Sequence, residues 1–270
     1  MAKYNPIGSI IQKEWRVLAT DLQTILLVSL IPLIIVGQVI LYIWIANNFS
    51  GSIANNQFFL NSLEKLRQSM PATAGLPPPQ QFLLLLISQF NFYLLLIPTM
   101  IAISLATFSI IDEKLSGSLE ALLATPVKTW ELLLGKALSG AIPALLVTWI
   151  CAGIYLVGMA ALGWGNLISL VVSPTWFLSL FFLTPVVAVL SFLLGVIGSS
   201  RAKDARTAQN TSLFIILPVL AIVAAQITGL IWFTPLLTLV LSIVIGLIDV
   251  LVLRIAVRLF QREAIVVRWR

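Results

Sequence analysis

The run ALSGAIPALLVTWICAGIYLVGMAALGWGNLISLVVSPTWFLSLFFLTPVVAVLSFLLGVIGSS, Ala137 to Ser200, contains no charged residue. A helix needs ~20 apolar residues to cross the hydrocarbon of a bilayer, so this run holds two crossings. Gly163-Trp-Gly-Asn and Ser173-Pro174 mark the break between them, since glycine, asparagine and proline favour turn geometry over a continuing helix. Outward on either side the pattern repeats. Leu22–Ala46 is one apolar span and roughly Gln81–Ile111 another; Thr207 to Ile248 is again uncharged and breaks near Gly229 and Thr234-Pro235. The expectation is an all-α integral membrane protein with six transmembrane helices, the last two joined by a very short hairpin. Composition agrees: 60% of 270 residues are apolar and 10% charged, where soluble domains run at about 25% charged.

Lysine and arginine set the orientation, because cytoplasmic loops are enriched in them. Lys3, Lys13 and Arg16 precede the first span; Lys114, Lys128 and Lys136 lie between the second and third; Arg201, Lys203 and Arg206 lie between the fourth and fifth. Arg254, Arg258, Arg262, Arg268 and Arg270 close the chain, so fourteen of sixteen basic residues fall on one side and only Lys65 and Arg67 on the other. Both termini are expected in the cytoplasm, in a multi-pass protein of the cell (inner) membrane. The net charge of +6 then reports orientation, and no nucleic-acid partner is expected.

One domain, residues 1–270, accounts for the chain: an interfacial helix over 1–21, six spans over 22–258 and a cytoplasmic tail over 259–270. The first of these follows from Asn5-Pro6, a cap followed by proline at the first helical position. Ile7, Ile10, Ile11, Trp15 and Leu18 then recur at helical spacing, with Gln12, Lys13 and Arg16 opposite. Such an amphipathic helix is expected to lie in the plane of the cytoplasmic interface, apolar face in lipid. On the other side, Asn47 to Gln80 is the only sizeable external loop.

Catalytic equipment is sparse. The chain has no histidine and a single cysteine, Cys151, which removes histidine acid–base chemistry, His/Cys metal sites and any internal disulfide. No catalytic residue and no metal site are expected. A phosphate-binding loop needs G-x-x-x-x-G-K-[ST]; Gly135-Lys136 is followed by alanine and lacks the earlier glycine. The chain is therefore expected not to be an enzyme and to bind no cofactor itself.

Between the second and third spans stands IIDEKLSGSLEALLATPVKTWELLLGK, Ile110 to Lys136, with four of the ten carboxylates and three lysines. Gly117 permits the positive φ of a sharp turn, and Ser116 or Ser118 can cap a new helix. Leu119, Leu122 and Leu123 give that short helix one apolar face while Glu120 points elsewhere. Thr125-Pro126 is a second cap-plus-proline signal, starting the helix that carries Glu131. A stiff, capped knob of this build is a mechanical handle for a soluble partner, or simply a charged loop of the kind any polytopic protein carries.

Glu113-Lys-Leu-Ser-Gly-Ser-Leu-Glu-Ala-Leu-Leu-Ala-Thr-Pro-Val127 closely resembles the pattern E-K-x-x-G-T-L-E-x-L-L-x-T-P-V of ABC transporter permeases of the type-2 exporter class, Ser118 standing for the commoner threonine. The N-terminal helix with Glu14-Trp15, the Ser199–Arg206 loop and the basic tail extend the likeness along the chain. The resemblance implies a half-transporter: two permeases, identical or paralogous, assembled with a pair of cytoplasmic ATPase subunits that bind the ATP and Mg. It implies that Gly117–Thr125 is the coupling helix, with Glu113, Gly117, Ser118, Leu119, Glu120, Leu123 and Pro126 transmitting nucleotide-driven closure and Arg201 and Arg206 adding contacts. It further implies that the second and fifth helices line the path, making Asn91, Ser104 and Asn210 candidate pathway residues, and that the substrate moves outward. Membrane lipids are the remaining partner.

Asp249 is the only carboxylate inside a span. Intramembrane acids are usually functional or paired. It is either a proton or sodium coupling site or one half of a structural pair, with Arg254 for instance, and the lack of a polar series around it favours the pair. The alternative to an ATP-driven exporter is an ion-coupled secondary transporter or channel working alone, with Asp249 essential.

Overall fold

The computed structural model describes residues 6–53, 75–117, 127–200 and 233–260, together with 202, 207, 210, 216–222 and 225. Among them there are helices and no strand. They run α1 (Pro6–Thr20), α2 (Leu22–Ile53), α3 (Pro78–Leu115), α4 (Thr129–Ala161), α5 (Gly165–Val171), α6 (Pro174–Leu178), a π-helical turn (Ser179–Leu183), α7 (Thr184–Ser200) and α8 (Pro235–Leu259). Five stretches are long and apolar enough to cross a membrane: Thr24–Ile45, Leu94–Lys114, Thr129–Ala161, Pro174–Ser200 and Pro235–Leu259. The chain is a multi-pass membrane protein. Most of the expected fifth span lies outside the described residues, as do Asn5, most of the external loop and the tail from 261 on.

Both expected breaks in the uncharged run are present. Gly163 takes φ +83 after α4, a left-handed conformation that side chains with a Cβ avoid. Ser173 caps α6, its side chain accepting from the Trp176 N–H. Pro185 acts through the turn before it. In a π-turn Leu180 C=O faces the nitrogen five residues on, which is Pro185 and carries no hydrogen. Thr184 Oγ1 and Trp149 Nε1 donate to that carbonyl instead, the latter at 3.2 Å, which ties the turn to α4.

Glycines set how closely the helices approach. Hydrocarbon gives helices no hydrophobic reason to associate, so close packing of small residues carries much of the association. A Cβ on Gly195 of α7 would stand 2.8 Å from Ala106 Cβ and 3.3 Å from the Ile103 carbonyl oxygen of α3; one on Gly140 of α4 would overlap the Phe192 ring at 2.3 Å. Ala102, Ala106, Ala137, Ala144 and Ala152 are buried along the same seams.

Two expectations are corrected. The helix carrying Glu131 starts at Thr129 rather than at Pro126: Lys128 is extended (φ −70, ψ 140), and its N–H donates to Glu131 Oε2 at 3.1 Å. The N-terminal helix also does not give its apolar face wholly to lipid. Ile7, Ile10, Ile11 and Leu18 are partly buried, and Ile10 lies so close to α4 that a Cβ on Gly135 would meet it at 3.1 Å. An amphipathic pattern shows that one face must be covered; the small residue at 135 lets protein cover it.

Candidate functional site: a charge ring at the root of the charged island

Glu14 lies on the inward face of α1, one turn from Ile10, Ile11 and Leu18. Glu113 and Ser109 stand one turn apart on α3, and Lys136 lies on the buried face of α4 just after Leu132, Leu133 and Gly135. These helices bring their polar groups to one point. Lys13 Nζ is 3.0 Å from Glu14 Oε1 and 2.6 Å from Glu113 Oε1; Lys136 Nζ is 3.0 Å from Glu14 Oε1 and 2.9 Å from Glu113 Oε2. The four groups close a ring of alternating charge with no net charge. Ser109 sits inside it, donating to Glu14 Oε2 at 3.0 Å and accepting from Lys136 Nζ at 2.6 Å. Beside the ring, Trp15 Nε1 donates to the Ser139 carbonyl at 3.0 Å.

Burial makes the ring matter. The Lys136 side chain is 1% exposed and that of Glu113 9%, whereas Lys13 is 47% exposed. Buried ions must be paired, because an uncompensated one loses its hydration and receives nothing in return. Burial pushes the Glu14 carboxyl up, but Lys136 and then Lys13 outweigh it and hold the group below the ordinary carboxylate value. Burial likewise pulls the Lys13 ammonium down, and Glu113 with Glu14 outweighs that, leaving it above the ordinary lysine value. The Glu14 contribution to stability is therefore complete above the unfolded value of ~4.3 and is lost as pH falls through the lower folded value. The Lys13 contribution is complete below ~10.4, is lost as pH rises through the folded value, and is weakened by solvent screening. Docking of α1 is thus expected to hold across neutral pH and loosen in acid. Hydrogen exchange of α1 amides, corrected for intrinsic rates, is expected to accelerate below about pH 4 and to stay flat around neutrality; flat behaviour through acid would contradict the assignment.

The ring lies at the base of the charged island. Four residues beyond Glu113, Gly117 takes φ +67 and is exposed, the turn expected of it. Ser116 Oγ donates to the Glu113 carbonyl at 3.3 Å. Lys114 Nζ donates to the Ala202 carbonyl at 2.7 Å, fastening the same root to the start of the Arg201–Arg206 loop. A family model described as "ABC-2 family transporter protein" matches residues 9–243, from α1 into α8. The chain belongs to the ABC-2 transporter family. Neither the curated proteins nor the solved structures compared with it gave a match.

As an ABC-2 permease, the protein is a transporter's membrane subunit, and its site residues can be placed one by one. Glu113 and Gly117 stand at the root just described. Ser118, Leu119, Glu120, Leu123, Pro126, Arg201 and Arg206 lie outside the described residues. Of the pathway candidates, Ser104 lines a small crevice with Leu27, Ile31, Pro32 and Ile35 of α2; Asn210 is exposed; the Asn91 side chain is not among those described. Asp249 is buried, and among the described residues neither Arg254 nor any other basic group pairs with it, so the expected structural pair is absent there.

In the sequence alone Lys13 marks orientation and the polar face of α1, Lys136 marks orientation and an incomplete phosphate-loop match, and Glu14 is part of a resemblance; none of the three is paired with another. The signal that identifies them is local: Glu14 interrupts the apolar face of an amphipathic helix, and Lys136 stands in the small-residue run Gly135–Gly140. A charge on a face that must be buried needs a partner.

Proposed function

We propose that the protein is the membrane subunit of an ATP-driven exporter, in which two permeases pass a substrate outward and a pair of cytoplasmic ATPase subunits drives them. The observation that carries this reading is the Glu113–Val127 motif rooted in the charge ring. The segment that resembles a coupling helix emerges where α1, α3 and α4 are locked to one another. A push on Gly117–Pro126 is then delivered to three helices together rather than absorbed by bending one. In this reading Glu113 is a positioning residue held by Lys13 and Lys136, while Glu120, Leu119 and Leu123 meet the ATPase surface, with Arg201 and Arg206 beside them. Both termini and the ring lie on the cytoplasmic side, as the basic residues direct, and α1 lies along that interface. ATP and Mg are held by the partner subunits.

The test is affinity purification from the native membrane in mild detergent. An ATPase subunit is expected at near-stoichiometric yield, and Glu120→Arg is expected to lower its recovery at least tenfold without changing the yield of the permease. A chain that emerges alone and still moves its substrate without ATP would refute the reading.

A further inference from the structure

The last span carries a carboxyl that the charge ring does not use. The outer face of α8 (Leu239, Ile243, Leu247, Leu251) is exposed, but Asp249 is turned inward and 9% exposed, and its Oδ1 is buried without a hydrogen bond. It shares its face with Thr238, Ser242 and Gly246 at helical spacing, and that face packs on α7: a Cβ on Gly246 would lie 3.7 Å from Val186 Cγ1. The Thr238 and Ser242 hydroxyls donate within their own helix, to the Thr234 and Thr238 carbonyls.

Among the described residues no counter-charge stands opposite. The packed elements α6, the π-turn and α7 contain no ionisable side chain. On α4, Glu131 accepts the Lys128 N–H and Lys136 belongs to the ring, leaving Cys151 and Tyr155, which as neutral groups supply no positive charge. On α8 itself, Arg254 and Arg258 form no ion pair with Asp249. A carboxylate with no partner in an apolar span is far costlier than a carboxylic acid there.

We infer that Asp249 is a proton-binding site: it is carried in the packed span as the neutral acid, and loss of that proton releases α8 from α7. The site stands independently of the ATPase-coupled reading, since it needs only the contact between these two helices.

Infrared spectroscopy of the full chain in nanodiscs reads the site directly. Wild type minus Asp249→Asn is expected to show the carbonyl stretch of a protonated carboxyl at neutral pH, shifted in heavy water and lost as pH is raised further. Ordinary carboxylates, with values near ~4, are ionised well before neutrality, so the wild-type titration alone suffices should the variant fail to fold. Release is read by cross-linking Val186→Cys to Gly246→Cys in a Cys151→Ser background. Yields are taken relative to the same pair carrying Asp249→Asn, which cancels the thiols' own pH dependence. That ratio is expected to fall several-fold as the band disappears. No band at neutral pH, or a ratio that stays constant through its loss, would overturn the inference.

Discussion

Lys136→Met lowers the stability of the folded permease by about 3–5 kcal/mol, the cost of removing one partner from a buried ion pair. Lys136 is fully buried and lies within 3.0 Å of carboxylate oxygens on both Glu14 and Glu113. Without it, the cation those two carboxylates share among the described residues is Lys13, which is half in solvent. Methionine keeps much of the volume, so the loss is electrostatic and not a cavity. The same reasoning gives a second result that distinguishes it from general damage. Neutralising the three more buried members with Glu14→Gln, Glu113→Gln and Lys136→Met leaves only Lys13 charged, and that lysine is half in solvent; replacing a buried ion network as a unit is often close to neutral. The triple variant is therefore expected to recover most of the loss, a strong non-additivity. Thermal unfolding in one detergent for the single and triple variants measures both. A single-variant loss under about 1 kcal/mol, or a triple variant worse than the single one, would remove the ring from the account.

Gly195→Val is the second large effect. Its added Cβ would stand 2.8 Å from Ala106 Cβ and 3.3 Å from the Ile103 carbonyl oxygen. Both neighbours are fixed to the α3 backbone, so no side chain can rotate away and the two helices must part. Overpacking of this kind costs about 3 kcal/mol. Ala102 of α3 and Phe192 of α7 are both buried, and Phe192 lines a crevice together with Glu14 and Ser109 of the charge ring, so the permease is expected to lose both thermal stability and ATPase association. Gly153→Val, where an added Cβ meets nothing within 4 Å, serves as the control and is expected to change stability by less than about 1 kcal/mol. Equal behaviour of the two variants would show that the α3–α7 approach is not limiting.

Five of the six expected spans were legible because apolar runs, charge placement and turn residues all act locally: Gly163, Ser173-Pro174 and Thr234-Pro235 sit where helices end or begin. The turn at Gly117 was legible for the same reason. The charge ring was not, because Glu14 and Lys136 are separated by more than a hundred residues and meet only after α1, α3 and α4 pack. Positive-inside reasoning treats Lys136 as a marker of the membrane edge and cannot tell a solvated lysine from one sealed by two carboxylates. The amphipathic pattern of α1 likewise gave the face to be covered but not what covers it. Asp249 stands out in the sequence as the carboxylate of the last apolar run, but Arg254 as its partner does not follow. A partner five residues away in sequence does not share its helix face, since five residues turn an α-helix well past a full turn.

The ring is expected to make α1 and the bases of α3 and α4 one body on which an ATPase subunit acts. The most direct measurement is the distance between spin labels at Arg16 on α1 and Lys128 at the start of α4, compared in the nucleotide-free and vanadate-trapped complexes. The account predicts one narrow distribution that is the same in both states, and a broad one in the Lys136→Met complex. A separation that changes with nucleotide while the wild-type ring is intact would contradict it.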